Sequence, residues 1–173
     1  MENLSLSETA ISTPSNFPLD VYKWIKNNAS AKMALKLMAV CKFFQHKNGF
    51  PYFVVKNVES CGNVWIFITL DGKRIACEKI EDISKRLWIT GKVDLVINQN
   101  VASTMLQKTV VCNIQKLQLD NQRITLDEFK QLTDGGKVEM CDIMQTIITN
   151  ENGEIVSLED ICECIPNVKK LVM

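Results

Sequence analysis

The chain has 173 residues, of which 46% are hydrophobic and 23% charged, and its 20 basic and 20 acidic side chains balance. This composition is typical of a soluble globular protein with one medium domain or two small ones. No apolar run approaches the roughly 18 residues that a membrane-spanning helix needs, so no membrane association is expected. Seven scattered cysteines and a start without signal-peptide character favour reduced thiols in an intracellular protein, cytoplasmic or nuclear.

The first third of the chain predicts a helical pair. Residues 1–16 are rich in Ser and Thr and indicate a disordered lead-in, and residues 17–47 predict two short helices. Pro18 suits the first turn of the first helix, and either Asn28 or Ser30 is a good N-cap for the second. The face expected for the first helix has side chains at helical spacing: Val21, Trp24, Ile25 and Asn28.

The second helix, expected to run to about His46, has an unusually broad apolar surface. One stripe of this helix consists of Met33, Leu37, Val40, Cys41 and Phe44. An adjacent stripe consists of Ala31, Ala34, Leu35 and Met38. Together they cover more than half of the circumference, so the helix is either enclosed in its own domain or shared with another chain.

Residues 51–79 predict a small antiparallel meander. Two segments rich in aromatic and β-branched residues, 52–58 and 64–70, predict strands. Asp71-Gly72 is the dipeptide preferred by a two-residue type I′ turn, which would lead into a return strand over 73–78.

Residues 80–173 predict a repeat of short helices and strands. Two acids precede an apolar residue at three expected helix starts: Glu81-Asp82-Ile83, Asp127-Glu128-Phe129 and Glu159-Asp160-Ile161. The strands expected after these helices are 91–95, 136–140 and 167–171, and a fourth unit has a helix over 101–109 and a strand over 115–119. Spacings of about 22 to 31 residues are close to those of leucine-rich repeats.

Local signals within this repeat are specific. Thr125 and Glu128 form a predicted capping box, and Gly135-Gly136 supplies the left-handed residue that ends that helix. Residues 146–156 predict an inserted hairpin. The fold class expected is therefore α+β: a helical pair, a small antiparallel meander and a short leucine-rich-repeat-like α/β arc.

The chain offers no residue pattern that indicates catalysis. A single histidine, His46, excludes a catalytic triad or a multi-histidine metal site. The sulfurs of Cys162 and Cys164 would point about 200° apart on a helix. Helix capping explains the acid pairs, and the lysines of the helical pair lack interleaved exposed aromatic residues for nucleic-acid binding. We therefore expect no enzyme activity, no cofactor, no metal and no nucleic-acid partner.

The helical pair resembles the F-box, the short motif that docks proteins onto the Skp-type adaptor subunit of cullin–RING ubiquitin ligases. Phe17-Pro18-Leu19-Asp20 matches its opening Leu-Pro-x-Glu/Asp, and the segment 37–44 matches its closing Leu-x-x-Val-Cys-Lys-x-Phe/Trp. The whole chain is similar to the nematode families of short F-box-like proteins. The resemblance implies these adaptor-binding residues: Pro18, Leu19, Val21, Ile25, Leu37, Val40 and Phe44.

Two interpretations follow. In the first, the chain is an F-box-like adaptor that holds an unknown target protein on residues 51–173 and presents it to a ubiquitin ligase. In the alternative, it is a repeat-type protein-binding or scaffold protein with no ubiquitin link, whose N-terminal helices only cap the repeats.

Overall fold

The computed structural model describes residues 18–40, 44, 50 and 52–173. They form a mixed α+β structure that divides into two compact units, Met1–Phe50 and Pro51–Met173. The first unit holds helices α1 (Leu19–Asn28) and α2 (Ala31–Val40), and Phe44 is also helical. The predicted lead-in over 1–16 lies outside the described residues, as do Cys41 and His46 in the last part of the second predicted helix.

Side-chain hydrogen bonds mark the junction between the two helices. The Asn28 side-chain amide donates to the carbonyl of Trp24 at 2.8 Å, at the end of α1. The Ser30 hydroxyl accepts from the backbone N–H of Met33 at 3.3 Å. Ser30 is therefore the N-cap of α2, and Asn28 belongs to the end of the preceding helix.

The buried face of α1 differs from the predicted one. Trp24 and Asn28 are exposed, whereas Tyr22 is buried and Ile25 and Ala29 are half-buried. Tyr22, Ile25 and Ala29 also follow a helical spacing, on a stripe turned slightly from the predicted one. The prediction for Trp24 and Asn28 was wrong because spacing alone does not decide between two neighbouring stripes.

The second unit is built on one eight-stranded sheet, in the order β10-β8-β6-β4-β1-β2-β3 with β5 beside β4. Its strands are β1 (Tyr52–Cys61), β2 (Val64–Thr69), β3 (Arg74–Cys77), β4 (Arg86–Val96), β5 (Thr109–Cys112), β6 (Lys116–Leu119), β8 (Met140–Asp142) and β10 (Lys170–Val172). Strands β1 to β3 are antiparallel, and β1 pairs in parallel with β4, which starts the parallel run β4-β6-β8-β10. The meander and the later strands therefore share one sheet.

The helices of the second unit are α3 (Val101–Lys108), α4 (Leu126–Thr133) and α5 (Leu158–Cys164). A second, two-stranded parallel sheet pairs β7 (Arg123–Thr125) with β9 (Ile147–Thr149). Helix and strand side chains meet in one apolar core, to which α3 contributes Met105 and α4 contributes Phe129 and Leu132. The helix predicted at 81–83 is instead a 3₁₀ turn, Ile80–Asp82.

The parallel strands repeat in a shared register. Residues 92, 116 and 140 are hydrogen-bonded neighbours 24 residues apart, and residue 170 follows 30 residues later. A left-handed residue recurs at the same interval, at Ile97, Asn121 and Gln145. The Asn121 side-chain amide donates to the carbonyl of Ile97 at 2.9 Å, which links the turns of two successive repeats.

The start and end signals predicted for α4 are confirmed. Thr125 and Glu128 form both bonds of the capping box, at 2.8 Å and 3.2 Å. Gly136 is left-handed (φ +60°) and follows α4, as predicted. The Ser157 hydroxyl accepts from the N–H of Asp160 at the start of α5. The strands predicted at 136–140 and 167–171 begin later than expected. Pairing of β8 with β6 starts only at Met140, and β10 starts at Lys170, the partner of Met140.

Both predicted hairpins are present but differ in detail. Between β2 and β3 the turn has three residues, since the Thr69 N–H donates to the carbonyl of Lys73 and Gly72 is left-handed (φ +84°). The predicted two-residue type I′ turn was therefore wrong. At 146–156, Thr149 and Ile155 form a single antiparallel bridge, while β9 itself pairs in parallel with β7.

Candidate functional site

The residues that the F-box resemblance singled out have very different exposures. Val40 is 81% exposed at the end of α2, and Pro18 is exposed before α1. Val21, Ile25 and Leu37 are half-buried, and the side chain of Leu19 is not among those that the structure describes. Phe44 is only 5% exposed. Its ring lies 5.3 Å from that of Phe50 and 6.0 Å from that of Tyr22, so it holds the first unit together.

Two exposed apolar residues of the helical pair were not among the predicted site residues. Trp24 on α1 is 66% exposed, and Met33 on α2 is 52% exposed. Among the side chains of α2 that the structure describes, Ala34 and Met38 are buried, and the stripe with Met33 and Val40 faces away from them. We call Trp24, Met33 and Val40 the exposed apolar set. Trp24 was missed because the predicted site residues came from the motif resemblance, which does not include it.

The second candidate surface is the face of the large sheet that points away from its helices. Strand residues alternate: Val93 and Leu95 of β4 are fully buried in the core, whereas Lys92 and Asp94 remain partly accessible. The same alternation continues in β6 and β8. We call the accessible side of β4, β6, β8 and β10 the strand face.

The shared register sorts the charges on the strand face into rows that run across the strands. One row, the basic row, consists of Lys92, Lys116, Met140 and Lys170. The next row, the acidic row, starts on β1 and consists of Glu59, Asp94, Gln118 and Asp142. Neighbouring strands lie about 4.8 Å apart, so like charges are close together within each row.

Ion pairing between these rows is incomplete. The Lys92 ammonium contacts the Asp94 carboxylate at 2.6 Å. One carboxylate oxygen of Asp142 is buried without a hydrogen-bond partner. Among the described residues, Lys116 and Lys170 take part in no ion pair and no side-chain hydrogen bond. The strand face therefore keeps free charges of both signs.

The cysteines do not assemble a reactive site in the described structure. Burial raises the pKa of Cys112 and of Cys141 to about 12, which keeps both thiols protonated. Cys162 is exposed, and the Cys164 thiol donates to the carbonyl of Asp160 at 3.3 Å. Within the described residues, no group of three potential metal ligands comes together.

No helix in the described part of the chain is long and apolar enough to span a membrane. Comparison with protein-family models, curated proteins and solved structures finds no match for this chain.

Proposed function

We propose that this protein is a non-enzymatic interaction module, an F-box-like adaptor that recruits a target protein to a cullin–RING ubiquitin ligase. The helical pair would bind the Skp-type adaptor subunit, and the second unit would hold the target. The observation that carries this proposal is the exposure of Val40, an aliphatic residue of the closing motif that is four-fifths accessible.

The exposed apolar set supports a protein partner for the helical pair. Isolated apolar residues are normal on protein surfaces. Here Trp24, Met33 and Val40 are all more than half exposed within two helices of ten residues each. Aromatic residues and Met are enriched in protein interfaces, and Trp is among the residues that most often contribute strongly to binding energy.

The packing of Phe44 divides the predicted adaptor-binding residues between two roles. Because Phe44 is buried against Tyr22 and Phe50, it would maintain the shape of the motif. Val40 and Pro18 are exposed and would touch the adaptor directly. Trp24 and Met33 would extend this contact beyond the residues that the motif resemblance names.

For the second unit, we infer a short leucine-rich-repeat-like arrangement whose strand face binds the target. The repeat intervals of 24, 24 and 30 residues support this inference, and so does the left-handed residue at the same place in three repeats. Strand rows with free charges of both signs provide specific recognition without a deep pocket.

The adaptor proposal is tested by direct binding. Purified full-length protein is titrated with a purified Skp-type adaptor subunit in a calorimeter, alongside Val40→Asp. A charge at the centre of an apolar contact should weaken binding at least tenfold, which corresponds to about 1.4 kcal/mol. The matched control is Ile155→Asp, since Ile155 is 79% exposed in the second unit.

The outcomes separate clearly. Loss of binding in Val40→Asp with normal binding of Ile155→Asp supports the proposal. If the wild-type protein does not bind the adaptor, or if Val40→Asp binds equally well, the F-box function is wrong. A Pro18→Ala/Leu19→Ala variant tests the opening of the motif in the same way.

The alternative function is a repeat-type protein-binding or scaffold protein with no ubiquitin link. The free charges of the strand face favour it, because they belong entirely to the second unit and require no adaptor. Affinity purification followed by mass spectrometry distinguishes the two functions. Co-purification of adaptor and cullin subunits supports the first, and other partners without these subunits support the second.

A further inference from the structure

Two lysines of the strand face are not used by the fold. Lys116 and Lys170 are exposed and flank Met140 in the basic row. Neighbouring lysines do have partners: Lys92 contacts Asp94 at 2.6 Å, and Lys169 contacts Glu139 at 3.0 Å. Within the described residues, neither Lys116 nor Lys170 has such a carboxylate.

The rows themselves are unfavourable for folding. Lys92 and Lys116 are direct neighbours on parallel strands, and so are Glu59 and Asp94. Like charges in directly opposite positions destabilise a sheet. Opposite charges within each row would stabilise the same fold. The contact with Asp94 compensates Lys92, whereas among the described residues Lys116 and Lys170 have no ion pair and keep charges that an external partner can neutralise.

We propose that the basic row binds an acidic segment of a partner protein, with carboxylates on Lys116 and Lys170 and an apolar side chain on Met140. This proposal rests on the proposed use of the strand face as the target-binding surface. Met140 is 38% exposed between the two lysines and offers a flexible apolar contact.

The spacing of the row determines which segments fit. Lys116 and Lys170 are separated by two strand intervals, or about 10 Å. Side chains i, i+2 and i+4 of an extended peptide point to one side, and the outer two are about 13 Å apart, a difference that two flexible lysine side chains can span. An acidic residue at i and at i+4, with an apolar residue at i+2, would therefore match the lysine, methionine, lysine order.

The acidic row restricts how such a segment can lie. It is displaced by two residues along each strand, which is about 6.6 Å. Further carboxylates would be repelled if the segment ran along the strands towards Asp94 and Asp142. The segment is therefore expected to cross the strands along the basic row.

The same arrangement favours a protein segment over nucleic acid. A sugar-phosphate backbone would bring several phosphates against the acidic row, whose charges oppose it. Single-stranded nucleic acid also binds through bases stacked on aromatic side chains. Lys92, Lys116, Met140 and Lys170 provide no aromatic surface for such stacking.

The test measures peptide binding by fluorescence anisotropy with the full-length protein. The probe is a fluorescein-labelled peptide, Gly-Ser-Glu-Glu-Leu-Glu-Glu-Ser-Gly, and the comparison peptide has Gln in place of every Glu. The Glu peptide should bind with a dissociation constant below about 1 mM at low salt, and the Gln peptide at least tenfold more weakly.

Charge reversal locates the site. Lys116→Glu/Lys170→Glu should weaken binding of the Glu peptide at least tenfold. The matched control is Lys73→Glu/Lys79→Glu, which changes the net charge equally; both lysines are exposed and lie beside β3, at the opposite edge of the sheet from β10. The control should change affinity less than about threefold, since surface charges act weakly beyond about 10 Å.

A second variant tests the apolar contact. Met140→Ser should weaken binding of the Glu peptide about threefold, because it removes part of the apolar contact between Met140 and the Leu of this peptide. It should leave unchanged the binding of a peptide with Ser in place of Leu. Circular dichroism and tryptophan fluorescence of each variant establish that it remains folded.

Three results would overturn the inference. The first is no binding of the Glu peptide by the wild-type protein, and the second is equal weakening of peptide binding by both double charge reversals. The third is equally tight binding of an eight-nucleotide thymidine oligonucleotide through the same lysines. These results are independent of adaptor binding, which is tested at Val40 in the other unit. If the protein binds the peptide but not the adaptor, the strand-face site is supported and the ubiquitin link is rejected.

Discussion

Gly91 lies at the point where the meander joins the parallel strands, and Gly91→Ala should destabilise that junction. A Cβ atom at this position would lie 2.7 Å from the carbonyl oxygen of Lys56 and 2.9 Å from the side-chain oxygen of Asn57. The register of β1 shifts at Lys56 against both β2 and β4, and the strand pairs at Val55 and Asn57 on either side hold its carbonyl in place. Overpacking of this kind costs about 2 kcal/mol.

Urea unfolding followed by tryptophan fluorescence measures this cost. Trp65 and Trp88 are buried in the second unit, whereas Trp24 is already exposed, so the signal reports mainly on the sheet. With a slope of about 2 kcal/mol per molar urea, the midpoint should fall by about 1 M. An unchanged midpoint would refute the close approach of β1 and β4 at this residue.

A double variant identifies which contact is responsible. Asn57→Ala removes the side-chain contact but leaves the carbonyl oxygen of Lys56 in place. Gly91→Ala/Asn57→Ala should therefore recover only part of the stability lost in Gly91→Ala, because the clash with the Lys56 carbonyl oxygen remains. The two residues are in contact, so the effects of the two substitutions should not be additive. Full recovery would mean that the backbone approach contributes nothing.

Two further predictions concern the second unit. Thr125→Ala should lower the free energy of unfolding by about 1–2 kcal/mol because it removes the N-cap hydroxyl of α4. Thr125→Ser keeps a hydroxyl and should retain most of the wild-type stability. Equal urea midpoints for the two variants would contradict this prediction. At pH 8.5, iodoacetamide should modify the exposed thiols of Cys61 and Cys162 but not Cys112 or Cys141, because burial raises the pKa of the latter pair to about 12 and keeps them uncharged. Labelling is measured by mass spectrometry of the native protein, with a urea-unfolded sample as control. Equal labelling of all four cysteines in the native protein would contradict the prediction.

Local chemistry made parts of the fold predictable from the sequence. The capping box of Thr125 and the left-handed Gly136 depend on neighbouring residues alone, and both were predicted correctly. The helix expected over 101–109 is α3, Val101–Lys108. Residues 80–82 form only a 3₁₀ turn, although a pair of acids also lies in the first turn of α4. Two acids therefore favour a helix start but do not determine its length.

The features that were not predicted depend on contacts between distant residues. β7 has three residues and is a strand only because it pairs in parallel with β9; the sequence predicted β9 as part of a hairpin but not this pairing. Ile97 is left-handed, which its sequence does not suggest because β-branched residues rarely adopt this conformation. The Asn121 side chain, 24 residues later, donates to its carbonyl. Such a bond can be seen only once the repeats are stacked.

The candidate surfaces show the same division between local and distant information. The motif resemblance identified the helical pair from adjacent residues, but spacing gave the wrong environment for Trp24. The sequence named no residue of the strand face as a candidate site. Lys92, Lys116 and Lys170 are far apart in the chain and become neighbours only through the register of β4, β6, β8 and β10.

The register also explains how a chain with no net charge acquires a strongly patterned surface. A repeat of constant length places equivalent positions of successive strands side by side, so a lysine at one position in several repeats must form a row. The 30-residue interval before β10 contains the hairpin insertion at 146–156, yet Lys170 still aligns with Met140 and Lys116. The insertion is therefore accommodated outside the strands, and the row is preserved. A binding surface built in this way depends on strand pairing, so substitutions that shift the register of β10 should weaken acidic-peptide binding even when both lysines are retained.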